Sequence, residues 1–339
     1  MAEFLISLLP PTLQRKLDIW FKGRVWQKAK QTPTMAMDSL VREIDKVLDA
    51  AKGKKPEELL VTYKGVLYPS GLCCAETFQA LDVMEVRKDD VFLVAYPKCG
   101  TNWIQHILND LTSAVLKNKE EVPPTEHIQM LEFGVPEKFQ KIKSFPSPRV
   151  FTTHLHYDNI PKAVFGTKAK VLVVFRNPKD AAVSYYHFYN KNPGLPNVSS
   201  WDEFFQKFMS GEVCWSSYFD HALAWNKHMD EENIMIITYE EMKENLLGGV
   251  KQIAEFLGFS LPEEKIQSIA ENATFESMSN KSQETHGKFG PIIFRKGTVG
   301  DWKNQFTEAQ SQEMDAKFEE CLAGTKLGAR LKYDKYCKY

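Results

Sequence analysis

An α/β chain, a single domain with a central parallel sheet flanked by helices, is what this sequence predicts, on three observations. Residues 91–95 and 171–175 are apolar without interruption, and 233–238 encloses a third such run, the pattern of strands buried on both faces. Each leads directly into a helical pattern, so strand and helix alternate. No Pro/Gly/Ser-rich linker divides the 339 residues, a length that can bury one sizeable core.

The elements follow in order. Phe4 to Leu9 is apolar, but Glu3 precedes it and Pro10-Pro11 ends it, which is not the grammar of a secretory signal. Residues 13–30 have the period of a basic amphipathic helix, with Leu13, Leu17, Trp20, Phe21 and Val25 on one face. Such a helix can make weak contact with an anionic membrane surface or pack on the protein itself. A second helical pattern spans 38–51, with Leu40, Ile44, Val47 and Leu48 at helical spacing, and the charged stretch 52–58, carrying Gly53 and Pro56, ends it. After strand 91–95 come Pro97, Gly100 and a helix on which Ile104, Ile107, Leu108, Leu111 and Val115 recur. Residues 149–153 read as a short strand ending at His154. Strand 171–175 is followed by Pro178, at home in a first helical turn, and by helix 179–190. Strand 233–238 precedes a helix over 240–257 closed by Gly258. Residues 277–293 read as a long irregular loop, of the kind that often serves as a lid.

Composition narrows the function. The 43 Lys and Arg nearly cancel 44 Asp and Glu, which argues against a nucleic-acid partner. Cys73, Cys74, Cys99, Cys214, Cys321 and Cys337 lack metal-ligand spacing, so they read as free thiols in a reducing cytosol, with no structural metal. No apolar run reaches the ~18 residues needed to span a bilayer, and a soluble, cytoplasmic protein is expected.

In a parallel sheet, ligands bind beyond the carboxyl ends of the strands. The loop after 91–95 reads Y-P-K-C-G-T-N-W, from Tyr96 to Trp103. Gly100 admits a ligand close to the backbone, Thr101 and Asn102 supply donors, Lys98 supplies charge, and the following helix offers unpaired N–H groups. This is an anion cradle, though not the nucleotide-triphosphatase loop, because the lysine precedes the glycine. Arg176 ends strand 171–175, where its guanidinium can grip a phosphate, and Ser184 follows on the next helix. His154 ends strand 149–153 and, if neutral, can accept a proton. Arg295, Lys296 and Gly297 suit a second phosphate. Phe133 and Phe188 are candidates for an apolar pocket, although residues of this kind are also plain core.

Taken together and in this order, Y-P-K-C-G-T-N-W, T-H-L, V-F-R-N-P-K-D-A-A-V-S-Y-Y-H-F and F-R-K-G-x-x-G-D-W-K-N resemble the cytosolic sulfotransferases over roughly residues 60–339. The runs 68–82 and 321–333 are most similar to family 6B of that group. The resemblance implies the P-loop-like fold of enzymes that use phosphoadenosine phosphosulfate (PAPS) as sulfuryl donor. It divides the chain into a helical extension, 1–58, and a sulfotransferase domain, 59–339. It implies that the loop of Lys98, Cys99, Gly100, Thr101, Asn102 and Trp103 holds the phosphosulfate. Arg176, Ser184, Arg295, Lys296 and Gly297 would hold the ribose phosphate. Tyr239, Ala273, Thr274, Phe275 and Met278 would contact the adenine. Catalysis would fall to His154 as base, with Lys98 and Ser184, and no metal. The acceptor would be a small hydrophobic alcohol, phenol-like, with thyroxine and related iodothyronines a first expectation, and adenosine 3',5'-bisphosphate the other product.

Three departures stand out. Thr152 and Ala273 occupy positions where the family usually has lysine and threonine. In the dimer motif, Glu308 and Gln312 replace valine and glutamate, which argues against homodimerisation by that route. A nucleotide kinase would share the anion cradle, but it needs a magnesium-holding carboxylate where this chain has Arg176. A nucleotide-binding protein with little or no catalysis is the other alternative, motivated by Thr152.

Overall fold

The structure is a computed structural model that describes residues 45, 46, 48–116 and 130–338. The expected helix 13–30 and positions 38–44 and 47 of the expected helix 38–51 lie outside the described residues.

Four strands, β3 Val91–Ala95, β4 Val150–Thr153, β5 Lys170–Phe175 and β6 Ile234–Thr238, form one sheet in the order β4-β3-β5-β6, preceded by a hairpin of β1 Leu60–Tyr63 and β2 Val66–Pro69. All neighbours in the four-stranded sheet are parallel. Every residue of β3 is buried, as its apolar run demands. The sheet is closed at its lower edge by a buried ion pair. Arg149 donates to both carboxylate oxygens of Asp90, at 2.7 and 2.5 Å, tying the start of β3 to the start of β4.

Helices Thr101–Val115, Pro178–Lys191 and Tyr239–Glu244 begin directly beyond β3, β5 and β6. Local chemistry sets two of these starts. Asn177 Oδ1 accepts from the Asp180 N–H at 2.8 Å with Pro178 in the first turn, and Thr238 and Glu241 form a reciprocal capping box.

The structure corrects two expectations and adds a hairpin. The helix expected over 240–257 is two helices, because Asn245 leaves the helical region and its side chain caps Leu246–Leu257 by accepting from the Gly248 N–H at 2.9 Å. Residues 277–293 are not an irregular loop. They form successive short turns, Phe275–Asn280, Ser282–His286, Gly287–Phe289 and Gly290–Ile293. Turns of three to six residues are too short to show a hydrophobic period. They stack closely enough that a Cβ on Gly290 would sit 2.6 Å from the Ser282 carbonyl oxygen. The hairpin went unread because its turn is Lys64-Gly65, with φ of 49° and 79°, rather than the Asn-Gly that announces two successive left-handed residues.

Residues 48–51 are helical, with Leu48 and Ala51 buried. Asp45 accepts from the Lys288 N–H at 3.1 Å, and Asp49 pairs with the Lys288 ammonium at 2.8 Å. This stretch therefore rests on the turns beyond residue 280.

Candidate functional site

Strand register brings the candidate residues together. Val94 is level with Thr153, Ala95 with Val174, and Phe175 with Thr238. The next residues along the chain, Tyr96, His154, Arg176 and Tyr239, therefore emerge at one edge of the sheet, where a ligand would lie.

The loop after β3 is held by its own anchors. The Tyr96 hydroxyl donates to the Ser216 carbonyl at 2.9 Å, and Cys99 is buried, its N–H donating to the Tyr96 carbonyl at 3.2 Å. Lys98 takes φ +70°, a left-handed conformation that costs a side-chain-bearing residue about 1–2 kcal/mol. Its ammonium sits over the Phe188 ring, 4.4 Å from the centroid. Burial, reinforced by the charges of Arg176 and Arg295, brings the Lys98 amine down to about 7. Gly100 has φ +107°, and a Cβ there would lie 3.0 Å from the Tyr239 ring, so glycine is required on both counts. Thr101, buried, presents a hydroxyl with no hydrogen-bond partner among the described residues, and Asn102 is half-buried in the first helical turn.

His154 is half-buried, and its Nδ1 lies 2.7 Å from the Ala95 carbonyl oxygen. A carbonyl only accepts, so Nδ1 carries the proton and Nε2 keeps its lone pair. Burial lowers the imidazole below its ordinary value; Glu132 and the Ala95 carbonyl oppose that, and Lys98 adds to it. Trp215 packs edge-on against the ring, 5.0 Å between centroids.

Arg176 joins the two basic segments. It donates to the Thr298 carbonyl at 2.9 Å and the Lys98 carbonyl at 3.4 Å, and its guanidinium lies 4.4 Å from the Tyr239 ring centroid. Arg295 and Lys296 both pair with Asp301, each at 2.6 Å. Burial acts to raise the Asp301 carboxyl, and hydrogen bonds from Lys296, Arg295 and Asn304 override it, holding it at about 2. Asp180 pins the same loop by accepting from the N–H groups of Gly300 and Trp302, at 2.7 and 3.0 Å. Ser184 is half-buried on the Pro178–Lys191 helix.

A third group lies alongside. Trp103 donates to the Ala273 carbonyl at 2.7 Å and meets the Tyr239 ring edge-on at 5.1 Å. Gly297 has φ +66°, and a Cβ there would strike the Phe275 ring at 2.2 Å. Met278 is buried, whereas Thr274 is exposed and caps its own helix by accepting from the Ser277 N–H. Of the pocket candidates, Phe133 packs near Trp215 and Phe188 against Phe289, at 6.2 and 5.7 Å between ring centroids.

Sequence reasoning missed Glu132, Trp215, Asp180 and Asp301. Glu132 sits inside the apolar string M-L-E-F, and only its complete burial, visible in three dimensions, marks it.

Comparison with known proteins shows the family. The sulfotransferase domain family matches residues 88–326. This chain belongs to the sulfotransferase family. It is an enzyme of the PAPS-dependent class. Sulfotransferase 6B1 of Pan troglodytes is 56% identical over 298 residues, 88% of this chain and 97% of that protein. The Homo sapiens protein of the same name is 55% identical over the same shares, in line with the resemblance of runs 68–82 and 321–333 to family 6B. Mouse sulfotransferase SULT7A1, solved in complex with PAP, superposes with a TM-score of 0.73 at 33% identity, covering 81% of this chain and 98% of that one.

Proposed function

We propose that this sulfotransferase transfers a sulfuryl group from PAPS to the hydroxyl of a small hydrophobic, phenol-like acceptor, with thyroxine and related iodothyronines the first candidates. The observation that carries the reading is the neutral Nε2 of His154, presented at the same sheet edge as the Lys98 ammonium.

The residues present fit the donor. Arg176 Nε, Arg295 Nε and the Thr101 hydroxyl are buried without a hydrogen-bond partner among the described residues, and such groups are costly unless a ligand completes them. Gly100 and Gly297 let the Tyr239 and Phe275 rings pack directly on the loop backbone, where a Cβ would crowd them. On this reading Lys98 through Trp103 hold the phosphosulfate, and Arg176, Ser184, Arg295, Lys296 and Gly297 hold the ribose phosphate. Tyr239, Ala273, Thr274, Phe275 and Met278 flank the adenine. The donor, when bound, supplies an activated sulfuryl group with a phosphate leaving group. His154 takes the acceptor's hydroxyl proton at Nε2. Lys98 faces the negative charge that develops on the leaving phosphate, a role a fixed ammonium can fill in a desolvated site. Trp215, backed by Phe133, gives the base an apolar neighbour, and Phe188 lies under the Lys98 ammonium; on this reading these rings favour a flat acceptor. Residues 1–58 are an extension to a catalytic domain of 59–339, and the enzyme works in the cytosol.

A labelled-sulfate donor assayed against phenols, iodothyronines, steroids, bile alcohols and amines tests this reading. Transfer to phenolic hydroxyls in preference to amines is expected. Donor binding without transfer to any acceptor would make the chain a nucleotide binder instead.

A further inference from the structure

Glu132 is fully buried, and three neutral donors converge on its carboxylate. One oxygen accepts from the His154 backbone N–H at 2.9 Å and from the Trp215 indole N–H at 3.2 Å; the other accepts from the Thr153 hydroxyl at 2.8 Å. The Thr153 oxygen in turn accepts from the Leu155 N–H at 3.0 Å. The two amides just past the end of β4 are thus satisfied by Glu132 and by a hydroxyl that Glu132 holds. The turn that carries the imidazole depends on this one carboxylate.

The carboxylate is itself anchored. Lys138, drawn down to about 8 by burial against the opposing pull of Glu132, donates its ammonium to the carbonyls of Met130 and Leu131, at 2.8 and 2.7 Å, and of Phe133. On the far side, Trp215 and Ser216 are two successive residues with φ of 62° and 64°, conformations that need support to persist. They receive it from Glu132, from the Leu67 carbonyl that accepts the Trp215 N–H at 2.9 Å, and from the Tyr96 hydroxyl. Trp215 then packs edge-on against the His154 ring.

We propose that Glu132 is the positioning residue of the base: its carboxylate fixes the backbone of His154 and the Trp215 ring beside it, and sets a negative charge near the imidazole. This rests on the reading of His154 as base. Three charged or titratable side chains from different elements face the imidazole: Glu132 from the 130–133 segment, Lys98 from the loop after β3, and His221 from helix Tyr218–Asn226. Of these, Glu132 alone favours the protonated ring. Its negative charge therefore keeps the base stronger than burial and Lys98 would leave it, while His221, itself brought down to about 3 mainly by burial, stays neutral where His154 titrates.

The test is Glu132→Gln in the full-length enzyme, with the His154 ring followed by NMR titration and its signals assigned by their loss in His154→Asn. Glu132→Gln should move the His154 titration to lower pH, lower kcat about tenfold, and move the acidic limb of the kcat/KM profile to lower pH. Affinity for PAP should stay within about twofold. A wild-type titration with wild-type kcat overturns the proposal. Should the amide fail to fold, Glu132→Asp carries the test. It keeps the charge but withdraws it from its donors, so kcat should fall severalfold with PAP affinity unchanged, and wild-type kcat would again overturn the proposal. The titration is read without turnover. If His154→Asn proved fully active, the base assignment would fall, while the effect of Glu132 on the ring would still be decided.

Discussion

His154 Nδ1 donates to the carbonyl oxygen of Ala95 at 2.7 Å, so the end of one strand fixes the tautomer of a histidine at the end of its neighbour. The consequence is a pH profile. Because burial lowers this imidazole below the ordinary histidine value, the neutral form persists into more acidic solution. The acidic fall of acceptor kcat/KM should therefore have its midpoint below pH 6.5, as the ring protonates. A fall already centred above pH 6.5 would contradict the assignment.

Lys98 gives the opposite limb. Its amine sits at about 7 in the free enzyme, so above that pH it is increasingly neutral, and binding an anion there must restore its proton. PAP binding at pH 8 should therefore take up close to one proton, measured by calorimetry in buffers of different ionisation enthalpy. That uptake should disappear in Lys98→Met. Equal uptake in both proteins would separate Lys98 from the phosphate site.

Gly297→Ala tests the second phosphate segment. The left-handed φ of +66° alone costs about 1–2 kcal/mol, and the new Cβ would also meet the Phe275 ring. PAP affinity should fall more than about tenfold. An unchanged Kd would mean that this loop does not shape the site.

Thr152 pairs level with Leu93 inside the sheet, fully buried, and its hydroxyl has no partner among the described residues. Thr152→Val should stabilise the protein by about 1 kcal/mol, by removing an unsatisfied polar group of the same shape, and raise Tm by roughly 2 °C. A loss of stability would show that the hydroxyl is satisfied in solution.

The sheet and its site-bearing edge were legible because uninterrupted runs such as Val91–Ala95 admit only a strand buried on both faces, and because Gly100 and Pro178 mark the helix starts beyond β3 and β5. Lys98 and Arg176 could be picked out since each is a charged residue just beyond an apolar run, and His154 since it follows a short strand. The features that stayed hidden depend on distance along the chain. Glu132 and Trp215 are separated by 83 residues and meet only through the fold. Nothing in the chain around Asp180 and Asp301 names their partners, the loop amides of Gly300 and Trp302 and the side chains of Arg295 and Lys296, which only the fold brings to them. The turns after Phe275 were misread as a loop because each is too short to show a hydrophobic period.

The central claim is that His154 acts on the acceptor's proton and not on the nucleotide. It is tested most directly by measuring kcat and PAP affinity together in His154→Ala. A general base contributes on the order of 100- to 10,000-fold, so kcat should fall by at least that lower figure while the Kd for PAP stays within about twofold. A variant that keeps near wild-type kcat with a good acceptor would contradict the account.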